Sequence, residues 1–213
     1  MSSGSYFPSP VLAVEIRKKT GGTRRLGIPT IADRIAQMIA RMYVERIVEP
    51  IFHEDSYGYR PRKITIDAMG KARERTWKYD YVLELDIKDL FDNIDHKLLM
   101  KAVKKYVKEK WVKLYIERWL VAPFETMDGE IIERNAGTPQ GGVISPVLVN
   151  LFMHYAFDVW MQRHFPDCPF ERYVDDAIVH CRTLREAKQV QSRLEARIVI
   201  AIYLYGVYNV DRR

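Results

Sequence analysis

The sequence predicts a fold that combines β-hairpins with amphipathic helices. Two apolar runs meet at an Asp-Asp pair within residues 170–181, and Gly-Gly and Asp-Gly pairs mark two further turns. Apolar residues at helical spacing follow capping residues at several points, and Thr183 and Glu186 have the spacing of a capping box. The 213 residues are 47% hydrophobic and 29% charged, so the chain is long enough to bury a substantial core.

The first predicted hairpin joins residues 11–16 to residues 24–29 through Gly21 and Gly22. Its tip and flanks carry five cations, which are Arg17, Lys18, Lys19, Arg24 and Arg25. Charges of this kind protect exposed edge strands from aggregation, and that is the simplest interpretation from these residues alone.

Two helices are predicted after this hairpin. Thr30 caps the first, which ends before Pro50, and Thr65 opens the second, which runs to about Tyr79. Apolar residues at helical spacing in the first helix are predicted to be core, namely Ile31, Ile35, Met38, Ile39 and Met42. Residues 56–61 form a turn-rich loop with two tyrosines and nearby cations, which suits either base stacking or packing beneath the loop.

Residues 81–87 alternate as a half-buried strand does. Leu83, Leu85 and Ile87 share one face, and Asp86 lies near the strand end on the more polar face. Asp95 then caps a helix, and residues 97–113 hold seven lysines and one acid. A solvated face is the default interpretation of these lysines, and RNA contact is the alternative.

A glycine-rich loop, residues 137–142, precedes a strong helix start at Ser145 and Pro146. Glycines before a helix let the backbone approach a ligand closely, and a helix N-terminus favours anions. Such a loop alone is weak evidence for a binding site.

Asp175 and Asp176 stand at the predicted turn between the two apolar runs. A solvated Asp-Asp turn is the simple interpretation, because aspartate is a favoured turn residue. If the strand bearing Asp86 lies beside this hairpin, three carboxylates converge. Hard Mg²⁺ or Mn²⁺ suits such oxygen ligands, and two metals about 3.5–4 Å apart would serve phosphoryl transfer in a polymerase or a nuclease.

Positive charge is concentrated in the first part of the chain. Residues 1–80 hold 15 lysines and arginines against 9 aspartates and glutamates, whereas residues 81–213 hold 19 of each. This distribution suits a polyanion held by the first part. Cys168 and Cys181 have neither metal-site spacing nor a disulfide framework, so they are predicted to be core thiols in a reducing compartment.

Three blocks resemble, in order, the successive palm motifs of reverse transcriptases. They are DIKDLFDNID at residues 86–95, GTPQGGVISP at residues 137–146 and YVDD at residues 173–176. More narrowly, they are similar to group II intron-encoded reverse transcriptase/maturases, over about residues 8–197. The resemblance implies an α+β fold, a right-hand polymerase palm whose antiparallel sheet is backed by helices, with an N-terminal fingers subdomain.

The same resemblance implies a fingers subdomain over residues 1–80 and a palm over residues 81–213. Residues 1–5 look like a cloning remnant, and the thumb, maturase and DNA-binding regions are expected to be absent. The run at residues 198–205 departs from the family, which has a short link with a Lys-Thr pair there. No catalytic lysine is therefore predicted after Asp176.

The resemblance also assigns roles to individual residues. The catalytic residues would be Asp86, Asp175 and Asp176, which with the backbone carbonyl of Ile87 would ligate two Mg²⁺ ions, Mn²⁺ being possible. The nucleotide-binding residues would be Arg24, Phe91, Gln140 and one or both of Lys18 and Lys19. RNA contacts are predicted for Arg60, Arg62 and Lys63.

The implied function is RNA-directed DNA synthesis by a group II intron protein, with binding of intron RNA to assist splicing and mobility. Its partners would be an RNA template, a DNA or RNA primer and deoxynucleoside triphosphates. The alternatives are a non-catalytic RNA-binding maturase, a retron-type reverse transcriptase and an RNA-templated RNA polymerase. No apolar run reaches about 18 residues and no leader is visible, so we expect a cytoplasmic protein without a membrane span.

Overall fold

The computed structural model describes residues 4–17, 21–202 and 207–212. The chain forms two compact units, one of Met1–Pro50 with Phe91–Val149 and one of Ile51–Leu90 with Asn150–Arg213. The sequence-based division into fingers and palm at residue 80 stays a prediction, and the compact units divide the chain at other points.

The first unit contains a four-stranded sheet of order β2-β1-β4-β5. Strands β1 (Val11–Arg17) and β2 (Thr23–Ile28) form the antiparallel hairpin predicted around Gly21 and Gly22. Strand β4 (Phe124–Glu125) runs parallel to β1 and antiparallel to β5 (Ile131–Ile132), across the predicted Asp-Gly turn. A small apolar cluster includes residues of these strands, and its members are Val11, Ala13, Ala122, Phe124 and Ile132.

Among the described residues, the helices that lie wholly or partly in the first unit are α1 (Ile31–Val48), α3 (Leu90–Asn93), α4 (His96–Tyr106), α5 (Lys110–Val121) and α6 (Ser145–Met153). A 3₁₀ turn, Glu49–Ile51, follows α1. The predicted caps are confirmed, because Thr30 accepts a hydrogen bond from the Asp33 amide and Asp95 accepts one from the Leu98 amide.

The prediction of which face of α1 is buried is wrong. The buried residues of this helix are Asp33, Ala36, Gln37, Ala40, Val44 and Val48. The predicted set is exposed instead, with Ile31 77% and Met42 66% accessible. Two stripes of the helix have the spacing of a buried face. The small side chains of Ala36 and Ala40 allow neighbouring segments to come closer to the stripe that contains them. Periodicity alone does not say which stripe packs inward.

The second unit contains an antiparallel sheet of order β6-β7-β3-β8. Its strands are β3 (Tyr81–Asp86), β6 (Phe170–Tyr173), β7 (Asp176–Cys181) and β8 (Val207–Arg212). Its helices are α2 (Thr65–Thr76), α7 (Val159–His164) and α8 (Leu184–Ile202), and a π-helical stretch, His154–Asp158, precedes α7.

Helix α8 buries one face, and its first turn carries the predicted capping pair. Ala187, Val190 and Leu194 have no accessible surface, as their spacing predicts. The helix continues to Ile202, so the apolar run that departs from the family pattern begins as helix, and residues 203–205 lie outside the described residues. Within the described ranges, no helix is long and apolar enough to cross a bilayer.

Candidate functional site

Asp86 and Asp176 occupy directly opposed positions on the adjacent strands β3 and β7. Opposed residues of antiparallel strands have Cβ atoms about 4.5–5.5 Å apart on the same face. The amide of Ile87 donates a hydrogen bond to the carbonyl oxygen of Asp175, with an N–O distance of 3.2 Å. The strand therefore lies beside the hairpin as predicted, and the fold brings the three aspartates together.

The negative charges of the three aspartates act on one another. Burial raises the pKa of Asp176 above its ordinary value, and the negative charges of Asp175 and Asp86 raise it further. Three carboxylates at one sheet end form the donor set that Mg²⁺ and Mn²⁺ prefer. The Ile87 carbonyl accepts a hydrogen bond from the Leu90 amide, and a carbonyl oxygen keeps a second lone pair for a metal.

The turn that carries Asp175 has an unusual backbone conformation. It consists of two residues, Val174 and Asp175, between the ends of β6 and β7. Val174 has a φ of 64°. A β-branched residue in the left-handed region is strained, so surrounding contacts must hold it there.

Arg172 supplies one of these contacts. Its guanidinium is fully buried and donates from Nη1 to the carbonyl oxygen of Val174, at 3.0 Å. The same group pairs with both carboxylate oxygens of Asp158, at 2.7 and 2.9 Å, which compensates its charge. It also contacts the side chains of Ser56, at 2.7 Å, and Asn150, at 3.2 Å. Sequence reasoning missed this residue, although an arginine inside an apolar strand was a usable signal.

Gly58 supports the same turn from the loop at residues 56–61. A Cβ at this glycine would overlap the Val174 side chain and lie 2.8 Å from its backbone nitrogen, so only glycine fits. The side-chain Nδ2 of Asn150 donates to the Gly58 carbonyl at 2.6 Å, and the backbone amide of Tyr57 donates to the Arg172 carbonyl at 2.8 Å. Tyr57 is buried, which favours packing over base stacking for this ring, whereas Tyr59 is 52% exposed.

A cavity of about 350 Å³ opens beside the aspartates within the second unit. Its walls include Asp86 and Asp176, and Tyr173 and Ile178 on neighbouring strand positions. Helix α2 contributes the other wall, with Thr65, Ala68, Met69 and Ala72.

Three of the predicted nucleotide-binding residues, Arg24, Phe91 and Gln140, lie in the first unit. Arg24 donates from Nε to the side-chain oxygen of Gln140, and Gln140 Nε2 donates to Asp92 at 2.9 Å. Phe91 is buried, with 7% accessible surface, and its carbonyl accepts the Thr138 amide at 2.6 Å. Lys18 and Lys19 lie outside the described residues.

The glycine-rich loop packs closely against the chain that follows β3. Gly137 has a φ of 76°, and a Cβ there would lie 2.5 Å from the Asp92 carbonyl oxygen. The amides of Val143 and Ile144, just before α6, donate to the side-chain oxygen of Gln37, at 2.8 and 3.4 Å. These two amides therefore already have a partner where the sequence suggested an anion site.

The predicted RNA-contacting residues differ in how they are held. Arg60 donates to the carbonyls of His53, at 2.5 Å, and Ser56, at 2.6 Å. Lys63 donates to the Glu54 carbonyl at 2.6 Å. Arg62 is exposed. Arg60 and Lys63 thus stabilise their own loop, and Arg62 presents its charge to solvent.

Comparison with known proteins gives the family. The family described as "Reverse transcriptase (RNA-dependent DNA polymerase)" matches residues 16–200. The chain belongs to the reverse transcriptase family. This reverse transcriptase chain is 34% identical over 155 residues to the group II intron-encoded protein LtrA of Lactococcus lactis subsp. cremoris, covering 72% of this chain and 26% of LtrA. It is 35% identical over 174 residues to protein YkfC of Escherichia coli, covering 76% of this chain and 44% of YkfC.

The chain therefore spans less than half the length of these curated relatives. The putative COX1/OXI3 intron 1 protein of Saccharomyces cerevisiae is 29% identical over 162 residues, covering 76% of this chain and 19% of that protein. These similarities confirm the group II intron reverse transcriptase/maturase resemblance.

Solved structures support the predicted fold class. Telomerase from Candida albicans, solved in complex with telomeric RNA, matches with a TM-score of 0.72 at 12% identity, over 99% of this chain and 44% of that chain. Apo telomerase from Candida tropicalis matches with a TM-score of 0.66 at 14% identity, over 96% of this chain and 51% of that chain. At such identities the similarity concerns the fold, and the α+β fold of the polymerase-palm class is confirmed.

Proposed function

We propose that this chain is the polymerising part of a group II intron-encoded reverse transcriptase. It would add deoxynucleotides to a primer 3′-end, with RNA as the template, by two-metal phosphoryl transfer. The observation that carries the proposal is the cross-strand register that sets Asp86 against Asp176, with Asp175 in the adjoining turn.

The residues proposed to hold two Mg²⁺ ions are Asp86, Asp175, Asp176 and the carbonyl of Ile87. Their oxygen donors suit a hard divalent cation, and the pKa of Asp176, raised by burial and by the charges of Asp175 and Asp86, is consistent with a cation site. When bound, such ions lower the pKa of the primer hydroxyl and neutralise charge on the triphosphate. The protein would contribute by holding the three carboxylates at the end of β3 and at the tip of the β6–β7 hairpin, because positioning and electrostatics account for most of such catalysis.

Residues of the first unit would bind the nucleotide. The Phe91 ring is proposed to contact the sugar and exclude a 2′-hydroxyl, since a closely packed pocket has no room for another heavy atom. Gln140, oriented by Asp92 and Arg24, is proposed to lie beside the nucleotide and the template base. Arg24 with Lys18 or Lys19 would bind the triphosphate.

The names of LtrA and the intron 1 protein support a proposal that the parental intron RNA is a second partner. The chain would bind that RNA, in a salt-dependent manner, to assist splicing and mobility. The bacterial relatives support action in a bacterial cytoplasm.

A primer-extension assay tests the proposed function. The 213-residue chain and a full-length protein that contains it would be given Mg²⁺, a labelled primer and either an RNA or a DNA template. We expect deoxynucleotide incorporation on RNA by the full-length protein and weaker incorporation by the chain alone. RNA binding without incorporation by either protein, at any Mg²⁺ or Mn²⁺ concentration, would instead support a non-catalytic maturase.

A further inference from the structure

Cys168 and Cys181 lie opposite each other at the base of the β6–β7 hairpin. The hairpin register pairs Phe170 with Val179, and the His180 amide donates to the Pro169 carbonyl at 2.9 Å. One position further from the turn, the two cysteines oppose each other. They form a pair without backbone hydrogen bonds, which is the type of pair in which opposed side chains come closest. Both thiols are buried, with 3% and 0% accessible surface. Twelve residues separate the two cysteines in the sequence, and this is not a metal-site spacing. The strand register is what brings them together.

Glu186 of α8 completes a three-ligand cluster. The two sulfur atoms and a Glu186 carboxylate oxygen all lie within 4.8 Å of one another. The start of α8 also holds the glutamate, because its Oε2 accepts the Arg182 amide at 2.7 Å and its own amide donates to Thr183 at 3.1 Å. The helix cap therefore helps to hold Glu186 beside the two cysteines.

The size of this triangle suits a thiophilic metal ion. Zinc bonds sulfur at about 2.3 Å and carboxylate oxygen at about 2.0–2.2 Å, so tetrahedral ligands lie roughly 3.5–3.8 Å apart. Small side-chain rotations would bring the three atoms to that separation. Cys168 also lines a cavity of about 370 Å³, whose walls include His53 and Glu54. The cavity offers an entry path and room for a water as the fourth ligand.

We propose that Cys168, Cys181 and Glu186 bind one Zn²⁺ ion at the end of β7 away from the aspartates. The two thiols would release their protons to solvent as the thiolate–metal bonds form, and no oxidation is involved. The site is chemically distinct from the magnesium site, because sulfur ligands select soft or borderline ions. It would fasten the base of the catalytic hairpin to α8.

Proton competition gives the site a pH dependence. Zinc binds cysteine as the thiolate, so each of the two thiols must lose its proton before it can ligate the ion. Because zinc must displace these protons, its affinity should rise with pH while the protein stays folded.

Zinc titration of the 213-residue chain tests the proposal. The ion alone would be added in the presence of a non-chelating phosphine reductant, and free zinc would be followed with a chromophoric chelator. We expect one zinc per chain, and Co²⁺ in its place should give thiolate-to-cobalt charge-transfer absorption. Cys168→Ser and Cys181→Ser should each abolish that absorption.

Glu186→Gln separates the ligand role of Glu186 from its cap role. Glutamine also serves in a capping box, so the helix start should be preserved, yet zinc affinity should fall by about tenfold or more. Glu195→Gln, elsewhere on α8, is the matched control and should bind zinc as the wild type does.

Three results would overturn the zinc site. They are unchanged binding in both folded serine variants, unchanged affinity in Glu186→Gln, and no stoichiometric binding by the reduced wild type. In the last case, a disulfide that forms when the reductant is removed would assign the pair to redox chemistry. Zinc binding should survive in Asp86→Asn, so the test is independent of the proposed polymerase activity.

Discussion

Arg172 donates a hydrogen bond to the backbone carbonyl of Val174, the left-handed residue that directly precedes Asp175. The carbonyl of Asp175 in turn accepts the Ile87 amide. A buried guanidinium, a strained turn and the end of β3 are thus linked through adjacent backbone groups. We therefore expect the placement of Asp175 to depend on Arg172.

Arg172→Lys should slow catalysis more than it weakens nucleotide binding. Lysine lacks the planar fork that contacts Asp158 and Val174 together, so the turn should relax. We expect kcat for primer extension to fall roughly 10–100-fold, with a smaller change in the KM for deoxynucleotides, because misplacement by about 1 Å can cost that much.

Arg75→Lys is the matched control for this experiment. Arg75 bridges Asp55 at 2.6 Å and Glu171 at 2.5 Å in the same unit, and neither partner belongs to the turn. Both variants should lose thermal stability, and Arg172→Lys alone should show the large loss of kcat. An equal loss of kcat in the two variants would assign Arg172 a general structural role.

Asp86→Asn and Asp175→Asn should each lower primer extension by more than about a hundredfold while the fold is kept. Each change removes a charged ligand from the proposed magnesium site. Asp80→Asn, just before the other end of β3, should extend primers normally. Circular dichroism checks the fold of each variant, and extension by Asp86→Asn at the wild-type rate would refute the metal assignment.

Asp176 should give the metal-free protein a pH-dependent stability. Its pKa is raised in the folded state, so the folded chain retains a proton that the unfolded chain has released. The free energy of unfolding should therefore fall as pH rises above about 3.9 and through the raised pKa. Tm, measured in a chelator between about pH 4 and pH 7, should show a smaller fall in Asp176→Asn.

Magnesium provides the complementary measurement on Asp176. Added at neutral pH, it should raise the Tm of the wild type more than that of Asp176→Asn, because the ion binds the ionised cluster of the folded state. Identical Mg²⁺ shifts in the two proteins would show that Asp176 is not a ligand.

Phe91→Val should admit ribonucleotides while deoxynucleotide incorporation survives. Truncating this buried ring would open space for a 2′-hydroxyl, so the ratio of kcat/KM for deoxy- and ribonucleotides should fall about tenfold or more. Phe124→Val truncates another buried ring in the same unit and should leave the ratio unchanged. If Phe91→Val is active with an unchanged ratio, the ring has only a packing role.

Arg62→Gln should weaken RNA binding equally for unrelated RNA sequences. The exposed charge would pair with phosphate, so its loss should reduce the slope of log affinity against log salt concentration by about one. Lys188→Gln, an exposed cation on α8, should leave that slope unchanged. Filter binding over a salt series measures both variants, and an unaltered slope in Arg62→Gln would exclude a phosphate contact.

The sequence by itself determined the local structure and the composition of the candidate site. The alternation of apolar and polar residues predicted β3 and placed Asp86 on its polar face. Turn residues predicted the three hairpins, and Thr30 and Asp95 predicted the starts of two helices. These signals succeed because they arise from backbone preferences and side-chain periodicity within a few residues. The motif order, by resemblance, indicated the reverse transcriptase family.

Tertiary structure decided which side chains meet. Arg172 binds Ser56, 116 positions away, and Cys168 meets Cys181 only because the strand register aligns them. The same holds for α1, whose smaller stripe packs inward while Ile31 and Met42 face outward. Buried ion pairs, thiol pairs and the choice between two apolar faces depend on packing between distant segments, which no short window of sequence contains.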